Sequence, residues 1–387
     1  MPRRQKGMKG RGSVFQRQSD GRWVAQFIVE ETGKPKQLYA DTEVEAYKKL
    51  DNALREQEQG VLVTGPKQKL KDYLEHWLED VHKPSVWIST YVRDRRAVYK
   101  HIIPALGNIE LRKLTPQQVQ KFYTALGKKT DKGEKGLAPG SIKIVHHVLG
   151  NALKNAVKWK LVAQNVCDQV SPPPAKKQEM ELLTAEQMQR LIQVVNNHKM
   201  GPFIKLALMT GMRHGEMLAL EWKDIDFDTN ILQIRRNVNH LTGHGFVVGE
   251  PKTEDGKRKI VLPRFVVEDL KRHRERQNEQ RKALREQWID KDLIFCNYRG
   301  GYTRHDDSLE RFRKVLAEAG LPTTMRLHDL RHNLATFLIH VMKYPPNLVQ
   351  ALLGHHDVTI TLALYAHPDT ETLREMMESL DRLFGGK

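Results

Sequence analysis

Residues 326–340 read RLHDLRHNLATFLIH, and the spacing of their apolar positions makes them a helix. Leu327, Leu330, Leu334, Phe337 and Leu338 recur at helical intervals and form one apolar face. His328 and Arg331, three residues apart, then share another face. A guanidinium donates bidentately to a phosphate or carboxylate, and an imidazole beside it supplies a hydrogen bond or a proton site, so the pair suits a phosphate. Taken alone it is more often an ordinary surface His and Arg.

Two flanking stretches add chemistry. Upstream, TGMRHGEMLALEW at 210–222 puts Arg213 in the turn between Gly211 and a helix that starts near His214, where free backbone N–H groups favour anions. Glu216, in the first turn, is either a favourable dipole partner or a brace for a neighbouring arginine. Downstream, ALLGHHDVTITLALYAH at 351–367 holds His355, His356 and, ten residues past His355, Tyr365. A tyrosine hydroxyl with its usual pKa of about 10 is ionised to only about one part in a thousand at neutral pH, so a nucleophilic role needs nearby cations or a base.

Charge sets the wider frame. The 387 residues hold 64 Lys+Arg against 47 Asp+Glu, a net +17, and 39% are hydrophobic, which suits globular domains with a nucleic-acid partner. Prolines 172–174 mark a stiff linker, and Gly65-Pro66 marks a second break. The expected division is a basic arm with a small domain at 1–65, a helical domain at 66–172, a linker at 173–179 and a larger domain at 180–387. Residues 66–179 carry +11 of the excess, alongside Tyr91, Tyr99 and Tyr123, and that sum favours a polyanion more than any single charge run does. Cys167 and Cys296 are isolated, which excludes a zinc ribbon or disulfide scaffold and fits a reducing, cytoplasmic setting. There is no apolar segment behind the basic N-terminus and no run of about 18 apolar residues, so neither secretion nor membrane spanning is expected.

The predicted fold is multidomain and mainly α. Residues 12–57 read as a three-stranded sheet, broken at Asp20-Gly21 and Thr32-Gly33, followed by one helix. The middle segment reads as four helices, the third opened by Thr115 as N-cap and Pro116 at N1. In the last segment Thr184 and Gln187 form a capping box before a helix. Strands are expected at 231–240 and 292–297, with a hairpin joining 246–253 to 257–263 through Glu254-Asp255-Gly256, all within an α-rich domain carrying one small antiparallel sheet.

With Arg213, His328-Asp-Leu-Arg331, Leu353-Gly354-His355 and Tyr365 in this chain order, the sequence resembles the tyrosine recombinases, the phage-integrase family. PKTEDGKRKIVLP at 251–263 resembles the family hairpin whose lysine, here Lys252, acts at the active site. The whole chain resembles the three-domain integrases of mobile elements and phages. The resemblance implies that Tyr365 cleaves DNA to a 3′-phosphotyrosyl link, with Arg213 and Arg331 on the non-bridging oxygens. It further implies that Lys252 protonates the 5′-oxygen, His328 assists proton removal from Tyr365, His355 bonds the phosphate and Glu216 supports the site. It implies no cofactor and no metal. Its partners would be double-stranded attachment-site DNA and the chain itself, as a tetramer on DNA, with room for DNA-bending accessory or directionality factors. Lys257, Arg258 and Lys259 read as phosphate-positioning cations and as competitors for the lysine role. Asn333 stands where a small hydroxyl residue is common, and Ala363-Leu364 precede Tyr365 where a Thr or Asp with a small residue is more usual. The C-terminal stretch carries Leu373, Met376, Met377, Leu380, Leu383 and Phe384 on one face, which either folds onto its own domain or docks in trans on a neighbouring protomer, the latter favoured by the tetramer that the resemblance implies.

Three other readings fit less of the sequence. A type IB topoisomerase-like enzyme shares the tyrosine and cations but has no use for a separate N-terminal DNA module. A catalytically silent DNA-binding protein would not need all six site residues. A metal nuclease, suggested by His146-His147 and His355-His356-Asp357, lacks a second acidic cluster.

Overall fold

A computed structural model of the chain describes residues 12–30, 33–58, 62–63, 66–128, 135–175, 182–251 and 256–354. It separates into two compact units, 1–177 and 178–387, divided within the stretch expected to be a linker. The basic arm ahead of residue 12, Lys252, His355, Tyr365 and the C-terminal apolar stretch all lie outside the described residues.

In the first unit, β1 (Ser13–Gln16), β2 (Trp23–Ile28) and β3 (Pro35–Ala40) form an antiparallel sheet in that order, with Trp23 opposite Ala40 and Ile28 opposite Pro35. Gly21 and Gly33 sit in the two turns. The helix α1 (Glu43–Glu58) turns Ala46, Leu50 and Ala53 onto Ala25 and Phe27, a spacing of four and three residues that keeps one face inward.

A second apolar cluster gathers four helices: α2 (Leu70–His76), α3 (Ile88–Ala97), α4 (Pro116–Gly127) and α5 (Pro139–Lys158). α2 and α3 each run on through a π-helical turn, Trp77–His82 and Val98–Ile102. Thr115 caps α4 as expected, its side chain accepting from the Gln118 backbone while the Gln118 side chain returns the bond. The buried His82–Asp94 pair (2.8 Å) and Tyr73, whose hydroxyl donates to the Ala152 carbonyl, satisfy polar groups inside the bundle. His146 is held there too, 3.0 Å from the Tyr123 hydroxyl.

The second unit is built around α6 (Ala185–Val195), α7 (Gly201–Thr210) and α9 (Arg264–Leu284), with α10 (His305–Glu318) and α11 (Leu327–Thr336) closing the core over Leu191, Ile204, Leu270, Phe312 and Leu330. The Thr184–Gln187 capping box opens α6. Between α7 and α9 lie the short helix α8 (His214–Leu218) and five strands: β4 (Ile225–Asp226), β5 (Ile231–Ile234), β6 (Asn237–Leu241), β7 (Gly245–Gly249) and β8 (Arg258–Val261). The last helix described is α12 (Pro346–Leu353). Among the described residues no helix is long and apolar enough to cross a membrane.

The strand pairing departs from expectation in three places. The run 231–240 is two strands in two sheets, because the Arg236 guanidinium reaches Asp224 and Glu221 and draws the chain out of line after Ile234. The expected hairpin across 254–256 does not form: β7 turns back on β6 through Gly243, while β8 pairs with β5, making separate β4-β5-β8 and β6-β7 sheets. Residues 292–297 form no strand, since Gln277 reaches the carbonyls of Leu293 and Ile294 and isolated bridges take the rest.

Candidate active site

α7 ends at Gly211, whose φ of +58° is left-handed and suits glycine. The reversed chain delivers Arg213 as the N-cap of α8, and Glu216 reaches back to it: Oε2 accepts from the Arg213 backbone N–H (3.0 Å) and Oε1 from Arg213 Nη1 (2.8 Å). The same turn serves α11, because the Gly211 carbonyl accepts Arg331 Nη1 at 2.6 Å. α12 closes the cluster. It ends at a second left-handed glycine, Gly354, whose carbonyl accepts Arg213 Nη2 at 3.1 Å.

Arg213, Glu216 and Arg331 are thus brought together from segments over a hundred residues apart. Glu216 is only 2% exposed. Burial alone would raise its carboxyl pKa, but Arg258 and Arg213 outweigh burial and hold it below the usual carboxylate value. Arg331 is also 2% exposed, not on the open polar face expected of it; burial first, then the charges of Arg213 and Arg258, push its guanidinium down to about 9, so it is still protonated at neutral pH. His328, three residues earlier on α11, stays open to solvent at its edge with its ring 4.9 Å from that of His332. Although the residue as a whole is exposed, partial withdrawal of its ring from water, then His332 and Arg331 beside it, lower His328 to about 4 and leave the ring neutral at pH 7.

The cations of 257–259 do not act alike. Lys257 pairs with Glu250 at 2.8 Å and Lys259 faces outward. Arg258 points inward, donating to Glu216 Oε2 (3.2 Å), the Leu352 carbonyl (2.8 Å) and the Gly256 carbonyl (3.3 Å). It is therefore no free phosphate ligand. The signal was present in the strand alternation, since Arg258 lies two residues before Ile260, which is buried.

Asn333, the departure noted in the helix, is buried for a reason. Its side-chain oxygen accepts from the Leu183 backbone N–H (2.5 Å) and its amide donates to the Asp329 carbonyl (2.8 Å), fastening the start of the unit to α11. Asn333→Ser shortens the side chain so that it cannot span both groups. The expected result is a loss of about 1–2 kcal/mol, read as a drop of a few degrees in thermal melting. An unchanged melting temperature would show that the bond contributes nothing.

Among the described residues no group of three or more His, Cys, Asp or Glu could hold a metal. The buried acids of the unit are occupied by cations, as Asp269 is by Lys205 and Arg272.

Residues 181–372 match the model of the phage integrase family, and residues 69–127 match the N-terminal SAM-like domain of phage integrases. The chain is 26% identical over 376 residues to a tyrosine recombinase XerC-like protein of Caldanaerobacter subterraneus subsp. tengcongensis, covering 92% of this chain and 94% of that one. Its fold is similar to that of the Tn1549 transposon integrase, solved with a circular intermediate DNA, with a TM-score of 0.68 at 21% identity over 81% of this chain and 99% of the other. It is also similar to lambda integrase, solved as a tetramer on a Holliday junction, with a TM-score of 0.53 at 16% identity over 94% and 99% of the two chains. Both family models, matching in order along one chain, lead to the same assignment: the chain belongs to the phage integrase family, the tyrosine recombinases.

Proposed function

We propose that this site-specific recombinase breaks and rejoins DNA at attachment sites of a mobile element or prophage through Tyr365. The hydroxyl oxygen attacks the scissile phosphorus, a P–O bond forms to the tyrosine, and the bond to the 5′-oxygen breaks. The product is a 3′-phosphotyrosyl link and a free 5′-hydroxyl, which attacks the link on a partner strand and releases Tyr365 unchanged. The bond energy stays in the covalent intermediate, so the cycle needs neither nucleotide nor metal.

The observation that carries this reading is the charge balance around α12. Among the described residues, Arg213, Arg258 and Arg331 gather around one carboxylate, Glu216, an excess of two positive charges. Attack by a tyrosinate on a phosphodiester monoanion gives a pentacovalent dianion, and that excess matches it. Arg213 and Arg331 bind its non-bridging oxygens. The neutral His328 takes the tyrosine proton, Lys252 returns a proton to the 5′-oxygen, and His355, the residue after Gly354, bonds the phosphate. DNA and further copies of the chain are the partners, with a tetramer on two paired sites as the working assembly. Accessory DNA-bending factors act outside this chemistry. The expected division into arm, helical and catalytic domains assigns the +11 of the middle segment to the DNA backbone.

The test is to trap the protein on a nicked duplex carrying its element's end-junction sequence, digest the adduct and map it by mass spectrometry. The expected product is a nucleotide 3′-phosphate on the peptide containing Tyr365, formed in the presence of chelator. DNA bound with no adduct would point to a silent binding protein, and an adduct at another residue would remove Tyr365 from its role.

A further inference from the structure

We infer that Arg258 is a positioning residue for cleavage: it acts through Glu216 and the end of α12 to set Arg213 against the scissile phosphate. The inference rests on the functional reading above.

Its three donor nitrogens are committed to protein atoms, Nη2 to Glu216, Nε to the Leu352 carbonyl and Nη1 to the Gly256 carbonyl, and its side chain is 7% exposed. It has neither the open face nor the spare orientation to hold DNA. What it does hold is the residue that orients Arg213. Glu216 Oε2 is shared between the Arg213 backbone N–H and Arg258, while Oε1 takes the Arg213 guanidinium, so removing Arg258 frees one side of the carboxylate that aims Arg213.

The second tie is at α12. The last carbonyls of a helix have no partner within it. Here the Leu352 carbonyl is taken by Arg258 and the Gly354 carbonyl by Arg213, so two guanidiniums joined by one carboxylate grip the helix end that leads into His355. Strand β8 supplies the rigid base, paired with β5 from Arg258 to Val261. A purely structural side chain at this place would do better without charge. An apolar residue could fill the space without burying a second guanidinium near Arg331 and the half-exposed Arg213, whose charges work against it. A fork of fixed donors is what the arrangement requires, and lysine cannot reproduce it from a single nitrogen.

The experiment uses the full chain, wild type and Arg258→Lys, on two duplexes that differ only at the scissile position: one with the natural phosphodiester, the other with a methylphosphonate, which lacks one negative charge. Rates of Tyr365 adduct formation are compared, with melting temperature and DNA affinity measured alongside. Arg258→Lys keeps the buried charge, so folding and binding are expected to hold. Cleavage of the phosphodiester should fall by about 10²-fold, the order expected when a catalytic group is misplaced by an ångström. On the methylphosphonate, whose transition state needs less neutralisation by Arg213, the defect should shrink to within about tenfold. Equal losses on both duplexes would make Arg258 merely structural and overturn the inference, as would wild-type cleavage of the phosphodiester by Arg258→Lys. If the wild-type chain itself forms no adduct at Tyr365, the functional reading falls and takes the inference with it.

Discussion

Arg331→Met is expected to slow strand cleavage by about 10²–10³-fold or more, while the protein melts at the same temperature as wild type or higher. The two halves of this result come from one fact, the 2% exposure of a guanidinium that lies near two others. Burial and the charges of Arg213 and Arg258 bring its folded pKa to about 9, well below the ordinary guanidinium value that applies in the unfolded chain. The sign follows directly. A base whose pKa falls on folding is charged at a cost, a cost fully present below pH 9 and relieved as pH rises from 9 towards the unfolded guanidinium value. At about 1.4 kcal/mol per tenfold change in proton affinity, that cost is several kcal/mol. Against it stands the Gly211 carbonyl, one of the groups Arg331 holds, which loses its donor in the variant at about 1–3 kcal/mol. The charge wins, and a site built for a phosphate is stabilised by losing its cation until DNA arrives. Scanning calorimetry with and without DNA checks it: DNA should raise the wild-type melting temperature more than that of the variant. A Met variant that melts well below wild type at pH 7 would mean that the guanidinium is a net structural asset.

Glu216→Ala has the opposite character and should destabilise the second unit by about 3–5 kcal/mol, the range for removing one partner of a buried ion pair. The carboxylate is 2% exposed and serves both Arg213 and Arg258, so its loss leaves the buried Arg258 and the half-exposed Arg213 near Arg331 without the acid they share. Burial works against the charged carboxylate, but the two arginines prevail and depress its pKa below the ordinary 4.5. A carboxyl depressed on folding contributes stability that is complete above its unfolded pKa and is lost as pH falls through the folded value. Urea unfolding of wild type and variant should therefore differ most at pH 6–7 and converge below about pH 4.5. A gap of constant size across that range would show that the effect comes from the cavity left behind and not from the charge.

Much of this molecule is legible along the chain. Capping boxes at Thr115–Gln118 and Thr184–Gln187 open helices where local chemistry says they should, because a cap is a bond between residues three apart. The N-terminal sheet follows from alternation and turn residues for the same reason. The strands after α8 do not. Both 246–253 and 257–263 have strand composition, yet β7 takes β6 and β8 takes β5, a choice made by the Arg236 contacts with Asp224 and Glu221 and by the turn at Gly243. The residues 292–297 resemble a strand, but the partner for their backbone is the Gln277 side chain on α9.

The site divides in the same way. The order of Arg213, Glu216, Lys252, His328, Arg331, His355 and Tyr365 is what makes the sequence resemble the tyrosine recombinases, the family to which the chain belongs. Charge composition likewise points to DNA before any coordinate is known. Burial of Arg331, recruitment of Arg258 to Glu216, and the hold of Asn333 on Leu183 were decided only by tertiary structure. Each depends on a contact between residues 42 to 150 positions apart. A polar side chain reads the same in sequence whether it faces water or a buried partner; only the folded chain supplies the partner, and with it the pKa, the rigidity and the role.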